Sequence, residues 1–561
     1  MRILGISPHH DASVCVVDDG KIIYFSKQER LTRIKFDHFE KKFDDCDELK
    51  HENLKVLDYA LEHYQDKEIE NIIICSPTPG STFVEWLQMY LWPKLKNKAG
   101  CRIHKFCQNH HLAHASLAFY NSGFKKALSV VIDRNGALIE KRMRESESVF
   151  ISEYPCEFKT IYKNYFLMEK GEKHDVENHK LLAKLKKEFK DCEMKADSTL
   201  NITKVYETAT TLIGQNILEN GKTMGLAAYG KDKPFEKLFC NHLPNDNLFF
   251  HYEGTEVGKK EYIALQTTKV PKNNPIYADY AFQVQKQTQE EVLHLIKKYV
   301  EKTKIKNVCL TGGYALNVVT NGFLVKNLPE VNFYFEPLAD DSGNSIGPAL
   351  GMHRLLTKDK TIHKLKHIFF NHKKDKIKNR GKKGNILKIV KCLTDQKIVA
   401  VYYGQAEAGP RALGHRSILF DARNKKAKDI INKVKKREWY RPFACSVLKK
   451  YAKDYFDMYH LDESPFMTIS FPVLKDKIKT IPGVVHVDHS CRVQTVDESI
   501  PHLYKLLTEF YKKTKVPVLL NTSFNMAGEP LIESYEDAIK AFEETDIDVL
   551  WFPEKDRIIE K

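Results

Sequence analysis

The sequence predicts an α/β protein in two parts. Three observations carry this. Short apolar runs such as ALSVV (127–131), NVCLT (307–311) and KIVAVYYG (397–404) have the length and β-branched content of buried strands. Amphipathic stretches at 51–66 and 281–299 have the period of helices that cover such strands. Residues 364–391 carry eleven Lys and Arg against one acidic residue, a Gly-punctuated polar run that reads as a boundary.

The chain has 561 residues, enough for two to four domains. No window of about 18 apolar residues is present, so no membrane span is expected. The start, MRILGISPHHDAS, reads as a core strand and not as a signal peptide, and a cytoplasmic location is expected. Twelve cysteines without a CxxC pair suit reduced thiols better than a disulfide frame or a zinc site. The net charge of +15 suits a polyanionic partner, or else a Lys-rich solvated surface.

Residues 2–30 read as three strands. His10 and Asp11 stand in the polar turn after the first, where Asp11 could equally make local backbone bonds. Arg30, Arg33 and Lys35 follow the third strand as an anion-binding lip for an acceptor, or a basic surface turn. Residues 68–75 read as a buried strand, and the aromatic 81–95 segment, with Trp86 and Trp92, as core rather than a stacking platform. QNHHLAHA (108–115) is the most informative stretch. On a helix, His110 and His114 stand four apart and share a face. With Asp133, at the end of strand 127–131, they form a set suited to a first-row divalent ion. HExxH chemistry is excluded, because His111 stands where the glutamate would be.

Residues 169–195 read as an exposed helical insertion. GKTMGLAAYG (221–230) brings Lys222 and Gly225 to a place where backbone can approach a ligand. Gly312 and Gly313 form a turn between strand and helix, suited to a phosphate or simply a tight α/β connection. Asp340 and Asp341 repeat that logic before a Gly-rich helix start. The C-terminal part sets Arg411, Arg416, Arg437, Arg441 and Arg492 beside turns, as forks for planar oxyanions, with Glu407, Asp421 and Glu438 as possible internal partners.

These motifs together resemble one family. HHDAS, QERLTRIK, HHLAHA, GKTMGLAAYG, LTGGYALN, GPRALGHRSIL, REWYRPFA, HVDHSCRVQTV and LLNTSFNMAGEP occur in its order over nearly the whole chain. It is the family of ATP-dependent O-carbamoyltransferases that decorate nodulation factors and antibiotics of the tobramycin, cephamycin and novobiocin type. Some relatives are thought to modify hydroxymethylated bases. The resemblance implies an actin/Hsp70-like domain over 1–357, shared with the tRNA threonylcarbamoyl transferase, a basic linker over 358–388 and a YrdC-like domain over 389–561. It implies carbamoyl phosphate and ATP as substrates, with a carbamoyl-adenylate between them. It adds Asp341 to His110, His114 and Asp133 as a metal ligand, with Fe(II) favoured and Mn, Zn or Mg compatible. His10 becomes the general base, beside Asp11. Gly312, Gly313, Asn317, Asp340, Lys222 and Gly225 line the nucleotide. Arg411, Lys435, Arg441 and Arg492, with Asn521 and Ser523, cradle carbamoyl phosphate.

The chain departs from the family pattern in four places. Asp133-Arg134-Asn135-Gly136-Ala137 replaces Asp-Gly-x-Gly-Glu, Ala339 replaces a Gly, Cys445 a Pro and His489 a Gly. The acceptor expected from the charge is the hydroxymethyl group of 5-hydroxymethylcytosine in DNA. The alternatives are a small-molecule hydroxyl and a non-catalytic nucleotide-binding switch, which would need neither His10 nor the C-terminal arginines.

Overall fold

The computed structural model describes residues 1–39, 54–76, 82–167, 172–197, 201–216, 218–232, 275–372 and 380–561. They form two compact units, Met1–Ile22 with Tyr59–Leu365, and Ile23–Asp58 with Lys366–Lys561.

The first unit is built on two sheets. One uses strands β1 (Arg2–Ser7), β2 (Ser13–Asp18), β3 (Lys21–Lys27), β4 (Asn71–Ser76) and β5 (Arg102–Cys107), in the order β3-β2-β1-β4-β5. β1 runs antiparallel to β2 and parallel to β4, which is parallel to β5. β1 is buried along its whole length and β2 up to Asp18, as their unbroken Ile, Leu and Val content demands. β3 belongs to this unit only over Lys21 and Ile22. The other sheet uses β6 (Lys126–Ile132), β7 (Leu138–Ile139), β8 (Met143–Glu153), β9 (Glu157–Leu167), β10 (Glu193–Asp197), β11 (Asn307–Thr311) and β12 (Asn332–Phe335). Its order is β10-β9-β8-β6-β11-β12, with β7 paired to β8. An order of third, second, first, fourth and fifth strand thus occurs twice, as β3-β2-β1-β4-β5 and as β9-β8-β6-β11-β12.

This topology fixes where a site can form. β6, β11 and β12 are parallel, so their carboxyl ends open on one edge. The helix His110–Ser122 begins two residues after β5 and stops at Gly123, whose φ of 80° is left-handed. The helix Ile346–Thr357 packs on it so closely that a Cβ at Gly347 would stand 2.1 Å from the Ala113 carbonyl oxygen. The Gly-rich helix start is therefore a backbone-to-backbone seam.

The second unit carries one nine-stranded mixed sheet. Its strands are β13 (Lys382–Lys383), β14 (Val399–Tyr402), β15 (Arg416–Asp421), β16 (Ala444–Leu448), β17 (Ser470–Pro472), β18 (Ser490–Val496), β19 (Val518–Ser523), β20 (Val549–Phe552) and β21 (Arg557–Glu560). They lie in the order β13-β21-β20-β14-β15-β19-β16-β18-β17. A core around Leu506, Leu507, Phe510 and Trp551 covers it.

The division of the chain is not the linear one the sequence suggests. Residues 23–58 join the second unit, because Phe25 donates its N–H to the Phe370 carbonyl at 3.1 Å and Arg30 and Arg33 bond carbonyls there. Nor is 358–388 a free linker where it is described. The Leu365 N–H reaches the Asn121 carbonyl at 2.8 Å, and Asn371 reaches Glu533 at 2.8 Å. Residues 373–379 of the basic run lie outside the described residues. The 169–195 segment gives the helix Glu172–Glu188 and most of edge strand β10, with Leu181, Leu185 and Met194 buried against Met143 and Tyr165. Trp86 is half-buried and Trp92 exposed, so the aromatic segment is only partly core. The ten cysteines among the described residues are all free thiols.

Gly312 closes the β11 turn at φ 84°, and a Cβ there would stand 2.3 Å from the Ile132 carbonyl oxygen. Gly312→Ala should lower stability by about 3 kcal/mol, from the left-handed backbone together with the clash. A drop in Tm of several degrees checks this, and an unchanged Tm would contradict the tight turn.

Candidate active site

Two clusters of side chains stand out, one in each unit. In the first unit, His110 and His114 project from one face of the helix His110–Ser122, as their spacing of four requires. Asp133 follows β6, and Asp341 opens the 3-10 turn Asp341–Ser345 after β12. One ligand atom from each lies within 4.8 Å of all the others. His110 Nε2 stands 3.2 Å from Asp133 Oδ2, 3.2 Å from His114 Nε2 and 3.4 Å from Asp341 Oδ1. His114 Nε2 stands 3.3 Å from Asp341 Oδ1.

These separations match a shared ion. Donors bound at about 2.1 Å stand roughly 3.0–3.4 Å from their neighbours in a tetrahedral or octahedral shell. The electrostatics agree. Burial opposes a charge on His110, yet Asp341 and Asp133 outweigh it and push its imidazolium up to about 10. Burial alone would raise both carboxyls, but the imidazoles hold Asp133 and Asp341 below the usual carboxylate range. One buried and one half-buried carboxylate thus demand positive charge, which a divalent cation would supply.

The surroundings fix these ligands. The Gly313 N–H donates to Asp133 Oδ1 at 3.0 Å, Thr203 Oγ1 donates to the Asp133 carbonyl at 3.0 Å, and an Asn344 side-chain nitrogen lies 3.1 Å from His114 Nε2. Ser13 Oγ, at the start of β2, donates to the Ser342 carbonyl at 2.6 Å, which ties the foot of the β1–β2 loop to the Asp341 turn. That loop carries His10 and Asp11. His10 Nδ1 lies 3.2 Å from Asp11 Oδ2, the His10 side chain is 41% exposed, and Asp11 is buried at a left-handed φ of 57°.

Other expected nucleotide residues sit as follows. GKTMGLAAYG forms the helix Asn220–Ala227 rather than a loop, with Gly225 buried in it and Lys222 paired to Glu219 at 2.8 Å. Asn317 caps the helix Val318–Asn327 by accepting from the Thr320 N–H, and its nitrogen donates to Gln285 at 2.9 Å. Asp340 accepts from the Ser342 hydroxyl.

The second unit holds the opposite charge. Arg411, Lys435, Arg437, Arg441 and Arg492 gather with little acid among them. Glu438 approaches Arg441 only to 3.8 Å. Burial and the other cations depress Arg411 to about 10 and hold Lys435, Arg437 and Arg492 well below their ordinary ranges. Lys435 Nζ is held by the Ser523 carbonyl and by Asn525 at 2.9 Å, and Ser523 Oγ donates to Asn525 Oδ1 at 2.6 Å. Mutual repulsion in a half-buried cluster marks an anion site.

Strand register places a neutral acceptor beside it. Ala444 of β16 pairs with Arg492 on one side and Asn521 on the other, so these two side chains share a face across a small residue. Gln494 donates to the Leu413 carbonyl at 2.9 Å, which turns its oxygen toward Asn521 Nδ2 at 3.2 Å. Asn521 Nδ2 also donates to Ser446 at 2.8 Å. Its buried Oδ1 is left without a donor.

Several arginines do other work than the sequence suggested. Arg416 donates to the Tyr403, Gly404 and Glu533 carbonyls at 2.7, 3.1 and 3.1 Å and lies over the Tyr402 ring. Arg30 donates to the Gly409 carbonyl at 3.1 Å, and Arg33 to the Leu531 and Pro530 carbonyls at 2.8 and 3.0 Å. These donors hold backbone and are not turned to an acceptor. Lys35 is exposed and lies 4.8 Å from the Phe36 ring centroid. Among the described residues Glu407 pairs with no guanidinium; it accepts from the backbone N–H groups of Leu413, His415 and Arg416 and so shapes the Arg411 loop. Asn525, with no obvious signal in the sequence, completes the hold on Lys435.

Family models match both parts of the chain. Models described as "Carbamoyltransferase N-terminus" and "Carbamoyltransferase C-terminus" match residues 2–99 with 82–350, and 390–560. The chain therefore belongs to the carbamoyltransferase family and is a carbamoyltransferase. It is 29% identical to Nodulation protein NolNO of Sinorhizobium fredii, over 96% of this chain and 78% of that protein. It is 35% identical to Nodulation protein U of Rhizobium tropici, over 44% of this chain and 42% of that one. The crystal structure of T. kodakarensis HypF aligns over 64% of this chain and 49% of that one, at 15% identity and a TM-score of 0.40.

If the cation cluster is an anion site, an oxyanion should stabilise the fold. Phosphate at about a hundred times its Kd should add about 2.7 kcal/mol and raise Tm. Lys435→Met should shrink the phosphate response. A thermal shift indifferent to phosphate would contradict the site.

Proposed function

We propose that this carbamoyltransferase transfers a carbamoyl group from carbamoyl phosphate to an acceptor hydroxyl, with ATP and a carbamoyl-adenylate between. The observation that carries this is the buried cation cluster with the orphaned Asn521 oxygen beside it. A phosphate dianion answers Arg411, Lys435, Arg437, Arg441 and Arg492, and a carbamoyl NH2 answers Asn521 Oδ1. A nucleotide phosphate alone would leave that oxygen unpaired.

In this reading the second unit, YrdC-like, makes the adenylate. Carbamoyl phosphate is hydrolysed to carbamate and phosphate. A carbamate oxygen attacks the α-phosphorus of ATP, and pyrophosphate leaves. The first unit transfers the group, and its doubled strand order supports an actin/Hsp70-like assignment. The acceptor oxygen attacks the carbamoyl carbon, and AMP leaves. His10, oriented by Asp11, takes the hydroxyl proton. His110, His114, Asp133 and Asp341 would hold a divalent metal, Fe(II) or Mn by donor type, which supplies positive charge toward phosphate oxygens. Gly313 and Thr203 keep Asp133 in place for it.

The acceptor we propose is the hydroxymethyl group of 5-hydroxymethylcytosine in DNA. The net charge of +15 and the basic 364–391 and 425–441 stretches support a polyanionic acceptor. A duplex base would have to be extruded or single-stranded to react.

Mass spectrometry of nucleosides tests this. Enzyme, ATP, carbamoyl phosphate and a divalent metal are incubated with DNA containing 5-hydroxymethylcytosine, and in parallel with the free nucleoside. A carbamoyl gain on the polymer, at least about a hundredfold weaker in His10→Asn, is expected. A gain on the nucleoside alone would replace DNA by a small acceptor. Neither gain, with pyrophosphate still released, would reject this acceptor and keep the donor chemistry.

A further inference from the structure

The Asp133-Arg134-Asn135-Gly136-Ala137 stretch departs from its family pattern, and the reaction above uses only its Asp133. Its surroundings give it a purpose. Glu207, buried on the helix Ile202–Leu212, holds two cations at once. Its Oε1 takes Arg134 Nε, and its Oε2 takes Lys204 Nζ at 3.2 Å. Lys204 Nζ also lies 3.3 Å from Asn135 Oδ1. The helix is locked to the metal centre, since Asn201 caps it and Thr203 bonds the Asp133 carbonyl.

We propose that Arg134 and Lys204 form a phosphate-binding fork at the rim of the metal centre. Glu207 uses only the Nε of Arg134. Among the described residues, the two terminal nitrogens of that guanidinium make no hydrogen bond, and the side chain is 33% exposed. Two cations against one carboxylate leave a net positive charge beside Glu207, on a guanidinium whose side chain is partly exposed. A planar fork and a point charge together suit the oxygens of a phosphate. Thr203, the residue before Lys204, bonds the Asp133 carbonyl, so the fork stands on the chain segments that carry this metal ligand. The choice of phosphate rests on the reaction proposed above. It comes from one of two sources, the nucleotide or the backbone of a nucleic-acid acceptor.

Calorimetric titration of the full-length, Mn2+-loaded chain separates them. The probes are ATP and a short single-stranded oligodeoxynucleotide. Arg134→Gln and Lys204→Gln should each weaken one probe about tenfold. Arg134→Lys, which keeps the charge and loses the fork, should fall between. Weakening of ATP alone assigns the nucleotide phosphate. Weakening of the oligonucleotide alone assigns the acceptor backbone. Mn2+ affinity should stay at the wild-type value, which separates a lost contact from a damaged metal centre. Should a Gln variant misfold, Arg134→Lys against wild type decides. Both probes binding to both Gln variants within about twofold of wild type would overturn the fork, as would a wild type that binds neither. If wild type releases no pyrophosphate from ATP but its ATP affinity still depends on Arg134, the fork stands and the reaction falls.

Discussion

Two imidazoles and two carboxylates meet in a space that fits one ion, and much of the first unit serves to hold them there. Neither carboxylate would be stable alone at that depth. His110 answers part of the demand by holding a proton, but four inward-facing donors are a poor resting arrangement without a cation. The fold supplies the rigidity that such convergence needs. Asp133 is pinned by the Gly313 N–H, which the left-handed Gly312 aims, and Asp341 sits on a turn whose following helix is seated on the histidine helix at Gly347. The same Asp341 turn is bonded to the loop that carries His10. Metal ligands, phosphate-type turn and proposed base are one connected structure.

The second unit inverts this electrostatic design. There the cations gather with little acid among them, and the neighbouring strand carries an amide whose oxygen has no donor among the described residues. Its repulsion is a cost in the empty protein, which an oxyanion relieves. The five cations are not interchangeable with the other arginines nearby. Arg416 and Arg30 are nearly fully buried and donate to backbone carbonyls. What distinguishes the cluster is that several cations depress one another, not a place beside a turn.

That distinction explains what could be read from the sequence. His110 and His114 were legible because helical period alone puts them together, and Asp133 because an apolar strand must end where its polar residue begins. Asp341 was legible only through the family resemblance, since it reaches the site across more than two hundred residues. The buried strands and the long helix Pro275–Thr303 follow from apolar length and period. The transfer of 23–58 into the second unit does not, because single backbone bonds such as Phe25 to Phe370 leave no trace in local pattern. Lys222 and Arg33 look the same in sequence as cations that bind substrate; a partner such as Glu219 or the Leu531 carbonyl shows itself only in three dimensions. Asn317 was read as a ligand-binding residue and is engaged as a helix cap, a role that its place before VVTNG could have suggested.

The most direct test of the whole arrangement is electron paramagnetic resonance of bound Mn2+. One ion per chain is predicted, with magnetic coupling to two imidazole nitrogens. His110→Ala and His114→Ala should each remove one coupling and weaken binding, while Lys435→Met should change neither. Stoichiometric Mn2+ without nitrogen coupling, or no bound Mn2+ at all, would contradict the centre on which the first unit is built.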